Sequence, residues 1–160
     1  MTAWIRTVVM TVFLVTIATG IAVAQDKPAD NSDIIREKVR ADKKLLVSEA
    51  LQLSETEAKG FWPVYNSYQS DMIEHYNRVG DLISTFSASY QTMNDETATK
   101  LLNDFLKLQT AHVALLNKYL PKFRGVLPPR KVARFYQVEN KIRALVDYEL
   151  ARGIPLIKSE

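Results

Sequence analysis

Apolar residues recur at helical spacing along most of the chain after residue 32. In a segment of roughly 55–90 they follow each other at steps of four and three residues: Phe61, Tyr65, Tyr68, Met72, His75, Val79, Leu82 and Phe86. A later segment repeats the pattern with Leu101, Phe105, Leu108, His112, Leu115 and Tyr119. A 4-3 repeat is typical of helices that pack side by side, so these segments predict a long helical hairpin that turns near Met93.

Shorter amphipathic segments flank this hairpin. The first runs from about 33 to 50 and places Ile35, Val39, Leu46 and Ala50 on one face. The last begins at Pro129, ends near Gly153 and carries a stripe of Val132, Phe135, Val138, Ile142, Leu145 and Tyr148. Alternating strand patterns and Asn-Gly or Asp-Gly turns are absent from the sequence. We therefore predict an all-α, four-helix fold in a single domain over 32–157, with Ile154–Ile157 packed on the bundle.

Several residues predict where these helices begin and bend. Ser54 and Glu57 have the spacing of a capping box, and Asn94 suits the N-cap of the third helix. Pro63 lies two turns inside the second helix and should kink it without ending it, because the apolar repeat continues past it. Gly125 is expected to close the third helix in a left-handed conformation.

The N-terminal 24 residues have the layout of a secretory signal peptide. Arg6 is the only charged residue before Asp26, an apolar stretch follows it, and Ala22-Val23-Ala24 forms a small-x-small cleavage site. We expect cleavage after Ala24, followed by a flexible polar lead-in over 25–31. The alternative is an uncleaved anchor, since 7–24 is near the lower length limit for crossing a bilayer.

Composition narrows the possible functions. The formal net charge is +3, which is too small to indicate nucleic-acid binding. The chain has no cysteine, so thiol catalysis, disulfides and thiolate metal sites are excluded. The sequence also contains no Gly-rich phosphate loop, no GxSxG and no HExxH motif. We therefore expect a binding protein rather than an enzyme.

Two helix-start segments carry a resemblance to a known family. Leu53-Ser54-Glu55-Thr56-Glu57 resembles the Leu-Thr-x-x-Gln motif of the Spy/CpxP periplasmic proteins, with Ser for Thr and Glu for Gln. Leu127-Pro128-Pro129-Arg130-Lys131 resembles a second copy, with Pro for Thr and Lys for Gln. The resemblance covers the layout of 32–157.

This resemblance implies a bent four-helix cradle that forms antiparallel homodimers in the periplasm. It implies an ATP-independent chaperone or a modulator of a membrane-bound sensor, with non-native proteins or that sensor as partners. The small net charge predicts no nucleic-acid partner, and we expect contact with the membrane only through an uncleaved leader, if at all. The substituted motif positions leave the choice between these roles open.

A partner-binding surface needs exposed apolar groups and flanking charge. The candidate cations lie on the first and last helices, and surplus aromatic residues lie at the start of the second. The candidates are Arg36, Arg40, Lys43, Lys44, Phe61, Trp62, Tyr65, Arg130, Arg134 and Lys141. The alternative interpretation is a solvated outer face, with Trp62 anchoring the kink at Pro63.

The two histidines of the chain both fall on the heptad repeats. A hairpin that turns at Met93 places His75 level with residue 111, so its ring should face His112. With Asp71 one turn before His75, the pair forms a candidate site for a divalent transition metal. Protonation of adjacent imidazoles would instead loosen the hairpin, which predicts acid sensing. The alternative is a pair of neutral imidazoles hydrogen-bonded to neighbours such as Tyr76 or Asn117.

The sequence thus leaves three functions open. The first is an envelope-stress chaperone or sensor modulator, the second a periplasmic metal or pH sensor that uses His75 and His112, and the third a structural helical adaptor.

Overall fold

The structure is a computed structural model that describes residues 30–158, with side chains described from residue 41 onward. Four α-helices follow one another: α1 (Asp30–Leu51), α2 (Glu55–Ser89), α3 (Asp95–Arg124) and α4 (Pro129–Gly153). A 3-10 turn, Tyr90–Thr92, joins α2 to α3, and the described residues contain no strand. The all-α prediction is therefore confirmed. The predicted leader and residues 25–29 lie outside the described residues.

The described chain forms two compact units. The first combines the described residues up to Gln52 with Ala133–Pro155, and the second combines Leu53–Val132 with the residues from Leu156 onward. The single domain predicted for 32–157 stays a prediction. None of the described helices is both long enough and apolar enough to cross a membrane.

The second unit contains the predicted hairpin, made of the two longest helices, α2 and α3. Tyr68 lies against Tyr119 with ring centroids 5.4 Å apart, and His75 lies against His112 at the same separation. His75 follows Tyr68 by seven residues, whereas His112 precedes Tyr119 by seven. The helices are therefore antiparallel, and one heptad separates the two ring pairs.

Local signals in the sequence set the starts of these two helices. The Ser54 hydroxyl accepts from the Glu57 N–H, and the Glu57 carboxylate accepts from the Ser54 N–H at 2.8 Å, which completes the predicted capping box. Asn94 accepts from the Thr97 N–H at 2.9 Å, as predicted. Helix α2 continues through Pro63, and the Ser67 hydroxyl donates to the Pro63 carbonyl oxygen.

The histidine pair divides the hairpin into two halves. We call residues 55–74 of α2 and 113–124 of α3 the basal half, and residues 76–89 and 95–111 the turn half. The basal half has an aromatic core in which the Phe123 ring lies 5.6 Å from Phe61 and 5.8 Å from Tyr68. In the turn half, only the Leu101 side chain is buried. Val79, Leu82, Phe86 and Leu108 lie on its heptad positions and are half-buried.

The first unit is built from α1 and the part of α4 that starts at Ala133. Val47 and Leu51 of α1 and Phe135 of α4 are buried. The Lys43 ammonium lies 3.0 Å from a carboxylate oxygen of the buried Glu139. The Arg134 side chain donates to the Ala50 carbonyl oxygen at the end of α1. Both polar contacts therefore tie α1 to α4.

Two local predictions in this part of the chain were wrong. Helix α1 buries Val47 and Leu51, whereas Leu46 and Ala50 are half-buried, so its core face is displaced by one residue. Gly125 has a φ of −74° and no left-handed geometry, because its N–H bonds back to carbonyls at the end of α3 in a right-handed turn. A positive φ occurs instead at Gln52, at 44°, directly after α1.

The C-terminal segment also differs from its prediction. Its apolar side chains are exposed, with Leu156 at 89% exposure, so they do not pack on a core. The segment is bound through polar groups instead. The Tyr90 hydroxyl donates to the Leu156 carbonyl oxygen, and the Lys158 ammonium donates to the Gln91 side chain at 2.7 Å.

Candidate functional site

The two histidines meet inside the hairpin. Their ring centroids are 5.4 Å apart with 46° between the ring planes, and His75 and His112 are only 7% and 6% exposed. The Tyr76 ring lies 5.6 Å from His75 at a steep angle. The structure therefore confirms that the register brings these imidazoles together.

Asp71 is engaged away from the imidazoles. One of its carboxylate oxygens accepts from the Lys118 ammonium at 2.7 Å and from the Tyr119 hydroxyl at 2.8 Å. These two hydrogen bonds hold the pKa of Asp71 below its usual value. Burial, together with the bond to Asp71, raises the pKa of Tyr119 to about 12, so its hydroxyl stays a donor at ordinary pH.

The contacts of Asp71 with Lys118 and Tyr119 affect the predicted metal site. Among residues 41–158, no three His, Asp or Glu side chains are grouped so that they could hold a metal ion. The structure supplies two facing imidazoles, and the carboxylate expected to join them binds a lysine and a tyrosine. Any metal at this pair would need its remaining ligands from water or from another molecule.

Two aromatic residues predicted to bind a partner are part of the core. Phe61 is fully buried and Tyr65 is 3% exposed, so in this structure neither lies on a surface. Their rings are 5.5 Å apart, and Trp62 packs edge-on against both. Trp62 itself is half-buried. This cluster fills the start of the hairpin and does not form a binding face.

The predicted cations fall into three groups. Lys43 and Arg134 form the structural contacts described above, and Lys44, Arg130 and Lys141 are exposed. The side chains of Arg36 and Arg40 lie outside the described residues. Arg130 belongs to the second unit, and the other described cations belong to the first.

The most exposed apolar surface of the hairpin was missed by the sequence analysis. Leu102, Phe105, Leu106 and Val113 of α3 are 58%, 47%, 52% and 55% exposed. Leu102, Leu106 and Val113 are separated by four and seven residues, so they share one face of the helix, with Phe105 at its edge. We call these four residues the apolar stripe.

The stripe carries no charge of its own. Between Thr97 and Asn117 the charged residues are Lys100, Asp104 and Lys107. Asp104 binds both lysines, at 2.8 and 3.0 Å, and Asp104 lies about half a turn from Leu102 and Leu106. The charges of this part of α3 thus form their own cluster away from the stripe.

The sequence did contain a signal for this surface. Phe105 was assigned to the heptad core, and Leu102, Leu106 and Val113 are apolar residues in excess of that core. The helix is therefore apolar over a wider arc than a single packing seam needs. Periodicity alone did not show which part of the arc is covered.

Comparisons with protein-family models, with curated proteins and with solved structures find no match for this chain. The resemblance to the Spy/CpxP proteins therefore stays a prediction, and the geometry described above is the basis for a functional proposal.

Proposed function

We propose that this protein is an exported, ATP-independent binder of non-native polypeptides, similar in role to the Spy/CpxP proteins. The observation that carries this proposal is the apolar stripe on α3. Four large apolar side chains on one helix are each about half exposed to water. Covering them with another apolar surface lowers the free energy, so the stripe favours binding of apolar groups. The stripe is already exposed in the folded hairpin, so binding does not require the protein itself to unfold.

The chemistry of the stripe favours non-native segments over one specific folded partner. Specific interfaces combine apolar contact with placed hydrogen bonds and charges. The stripe offers apolar contact, while Lys100, Asp104 and Lys107 pair with one another. Unfolded chains expose scattered apolar side chains, and such a surface accepts them with little regard to sequence. A modulator of a membrane-bound sensor would use the same face for one partner.

The direct test is binding of a permanently unfolded probe, reduced and carboxymethylated α-lactalbumin, followed by fluorescence anisotropy without ATP. We expect binding by the purified protein and a loss of at least tenfold in affinity for the double variant Leu102→Lys/Leu106→Lys. The matched control is Asn103→Lys/Ala114→Lys, which adds the same charge at exposed positions of the same helix outside the stripe. Equal losses in both variants would contradict the stripe as the binding face.

The same purified variants also test two other possibilities, a second copy of the chain on the stripe and binding through the basic residues. Light scattering with size-exclusion chromatography reports whether a second copy covers the stripe, in which case the wild type is dimeric and Leu102→Lys/Leu106→Lys is monomeric. Charge reversal at Lys44 and Lys141 tests the basic residues in the first unit. We expect this second change to weaken binding of the probe much less than the change at the stripe.

The histidine pair supports a second candidate function, a periplasmic metal sensor. Two imidazoles 5.4 Å apart on facing helices match the spacing of rings that share one ion, which is about 5–6 Å for metal–nitrogen bonds of about 2 Å. Calorimetric titration with Zn²⁺, Ni²⁺ or Cu²⁺ tests this candidate. Near-stoichiometric binding that disappears in His75→Ala would support it, and no heat at micromolar protein concentration would contradict it.

A further inference from the structure

The apolar stripe lies on a helix whose two ends carry opposite charges on the same face. Asp95 is the first residue of α3 and Arg124 is the last, and both are exposed. At about 100° per residue, both fall within about 20° of the mean direction of the three aligned stripe residues. The stripe is therefore the uncharged middle of a surface that has a carboxylate at its turn end and a guanidinium at its basal end.

Both end charges are available to a partner. Within the part of the chain whose side chains are described, neither Asp95 nor Arg124 forms an ion pair. By contrast, the Asp104 carboxylate near the middle of the helix is shared by two lysines. A partner that pairs with Asp95 or Arg124 therefore does not have to break an ion pair among the described residues of the hairpin.

The stripe offers apolar side chains and no backbone partners. Backbone N–H and C=O groups inside a helix bond to one another, so an extended segment laid on α3 finds no hydrogen bonds there for its own backbone. Covering that backbone with leucine side chains also removes water from its polar groups, which costs free energy.

A helical segment avoids this cost because its backbone hydrogen bonds are internal. An amphipathic helix presents apolar side chains at steps of three, four and seven residues. The stripe has matching steps, since Phe105 and Leu106 follow Leu102 by three and four residues and Val113 follows Leu106 by seven. Rows of side chains with this spacing pack between one another when two helices meet.

The end charges set the direction of such a helix. Because of the helix dipole, helices favour acidic residues in their first turn and basic residues in their last turn. A helix that runs antiparallel to α3 therefore places its acidic start beside Arg124 and its basic end beside Asp95. A parallel helix places like charges together at both ends. A partner helix of about 22 residues, ~33 Å long, covers the surface between the two charges, and long side chains bridge the remaining gap.

We propose that the preferred ligand of the stripe is an amphipathic helical segment of a non-native polypeptide, bound antiparallel to α3 with its acidic start at Arg124 and its basic end at Asp95. This inference rests on the proposed function and names the class of client. Many unrelated sequences share an amphipathic pattern, so selection by this pattern is compatible with little regard to sequence. Clients rich in helix-forming segments should therefore bind more tightly than clients that form sheets.

A designed peptide of about 24 residues tests the class of client. It carries leucines on one helical face, glutamates in its first turn and lysines in its last turn, with neutral polar residues elsewhere. Its control is a scrambled peptide of identical composition without helical period. By fluorescence anisotropy, the purified protein should bind the helical peptide at least tenfold more tightly than the scrambled one. Leu102→Lys/Leu106→Lys should bind the helical peptide at least tenfold more weakly than the wild type. Equal affinity of the wild type for both peptides overturns the proposal.

A charge swap on the protein tests the orientation. Asp95→Lys/Arg124→Glu exchanges the signs at the two ends of the stripe without changing the net charge. It should weaken binding of the helical peptide about threefold to tenfold, and strengthen binding of a second peptide with lysines first and glutamates last by a similar factor. Because each peptide is compared between two proteins, differences in the helicity of the free peptides cancel. Both effects should shrink in 1 M NaCl, which screens exposed charges.

The matched control for the swap is Glu96→Lys/Lys122→Glu, which exchanges charges in the same two turns but outside the face of the stripe. It should leave the affinities for both peptides unchanged. If circular dichroism shows that the change at Asp95 unfolds the protein, Arg124→Glu alone gives the same test at the basal end. Equal effects of the two swaps, or no effect of the swap at Asp95 and Arg124, overturn the proposal.

Reduced, carboxymethylated α-lactalbumin separates this inference from the proposed function. If the wild type binds this probe through the stripe but binds the helical and scrambled peptides equally, the proposed function stands and the helical preference is wrong. If neither the probe nor either peptide binds, the proposed function itself is contradicted. A dimeric wild type that Leu102→Lys/Leu106→Lys converts to a monomer would place α3 of a second copy on the stripe, and this result also overturns the proposal.

Discussion

The two halves of the hairpin share one sequence pattern but differ in packing. Both continue the same 4-3 repeat on α2 and α3. The basal half places packed aromatic rings in its core, whereas most heptad side chains of the turn half are only half-buried. A heptad repeat indicates which side chains face the neighbouring helix. How deeply they are buried depends on their size and on what else covers them. The difference suggests that the basal half provides stability and the turn half provides a surface.

The largest expected effect comes from removing a ring of the basal core. Phe123→Ala should lower the free energy of unfolding by about 3–5 kcal/mol, because it opens a cavity among packed rings. Phe105→Ala, on the same helix in the turn half, should cost less than about 1 kcal/mol, since Phe105 is 47% exposed. Urea unfolding followed by circular dichroism measures both. Similar losses in the two variants would mean that the halves do not differ in packing.

A smaller contrast is expected between two adjacent leucines of the turn half. Leu101 is 7% exposed and Leu102 is 58% exposed. Leu101→Ala should therefore destabilise the protein by about 2–3 kcal/mol, and Leu102→Ala by about 0.5 kcal/mol. Thermal unfolding of the two variants under identical conditions checks the prediction. A larger loss for Leu102→Ala would show that another molecule covers the stripe.

The polar contact beside the histidine pair should have an intermediate effect. Tyr119→Phe removes the hydroxyl that donates to Asp71 and should cost about 1 kcal/mol near neutral pH. Because the pKa of Asp71 is lowered in the fold, its contribution is complete above the ordinary aspartate pKa of about 3.9 and is lost as pH falls through the folded value.

The variant Asp71→Asn tests whether the contribution of Asp71 to stability is lost as pH falls. Between about pH 5 and pH 2 the wild type should lose more stability than the variant, so their unfolding curves converge in acid. A constant difference between wild type and variant at every pH would show that the Asp71 contact contributes no charge-dependent stability.

The smallest effects are expected at the helix starts. Ser54→Ala removes the capping box at the basal end and should cost about 1 kcal/mol. Asn94→Ala removes a single capping bond at the turn end and should cost somewhat less, about 0.5–1 kcal/mol. Amide hydrogen exchange should show faster exchange in the first turn of the affected helix only. Faster exchange throughout the hairpin after Asn94→Ala would contradict a purely local effect of this cap.

Much of the hairpin was predictable because its causes are local or periodic. Ser54, Glu57 and Asn94 bond to backbone groups within three residues, so their roles follow from spacing. The pairing of His75 with His112 followed from a regular repeat and a short turn. Such features need no information from the rest of the molecule.

The candidate site was only partly predictable for the opposite reason. The sequence brought Asp71 near the histidines but gave no indication that Lys118 and Tyr119 would bind it. It placed Phe61 and Tyr65 among binding residues, because an excess of aromatic residues looks the same whether they line a core or a surface. It placed Phe105 in the core, although nearly half of that side chain is exposed.

The sequence by itself determined four helices, the N-caps at Ser54 and Asn94, the antiparallel hairpin and the register that joins the imidazoles, because these depend on bonds within a few residues and on the 4-3 period. Only the tertiary structure decided that Leu102, Phe105, Leu106 and Val113 form an exposed stripe, that Asp71 turns to Lys118, and that the rings of Phe61 and Phe123 meet in the basal core. The burial of a side chain depends on every helix and turn that packs near it. The apolar period of one helix gives no information about where the other elements lie.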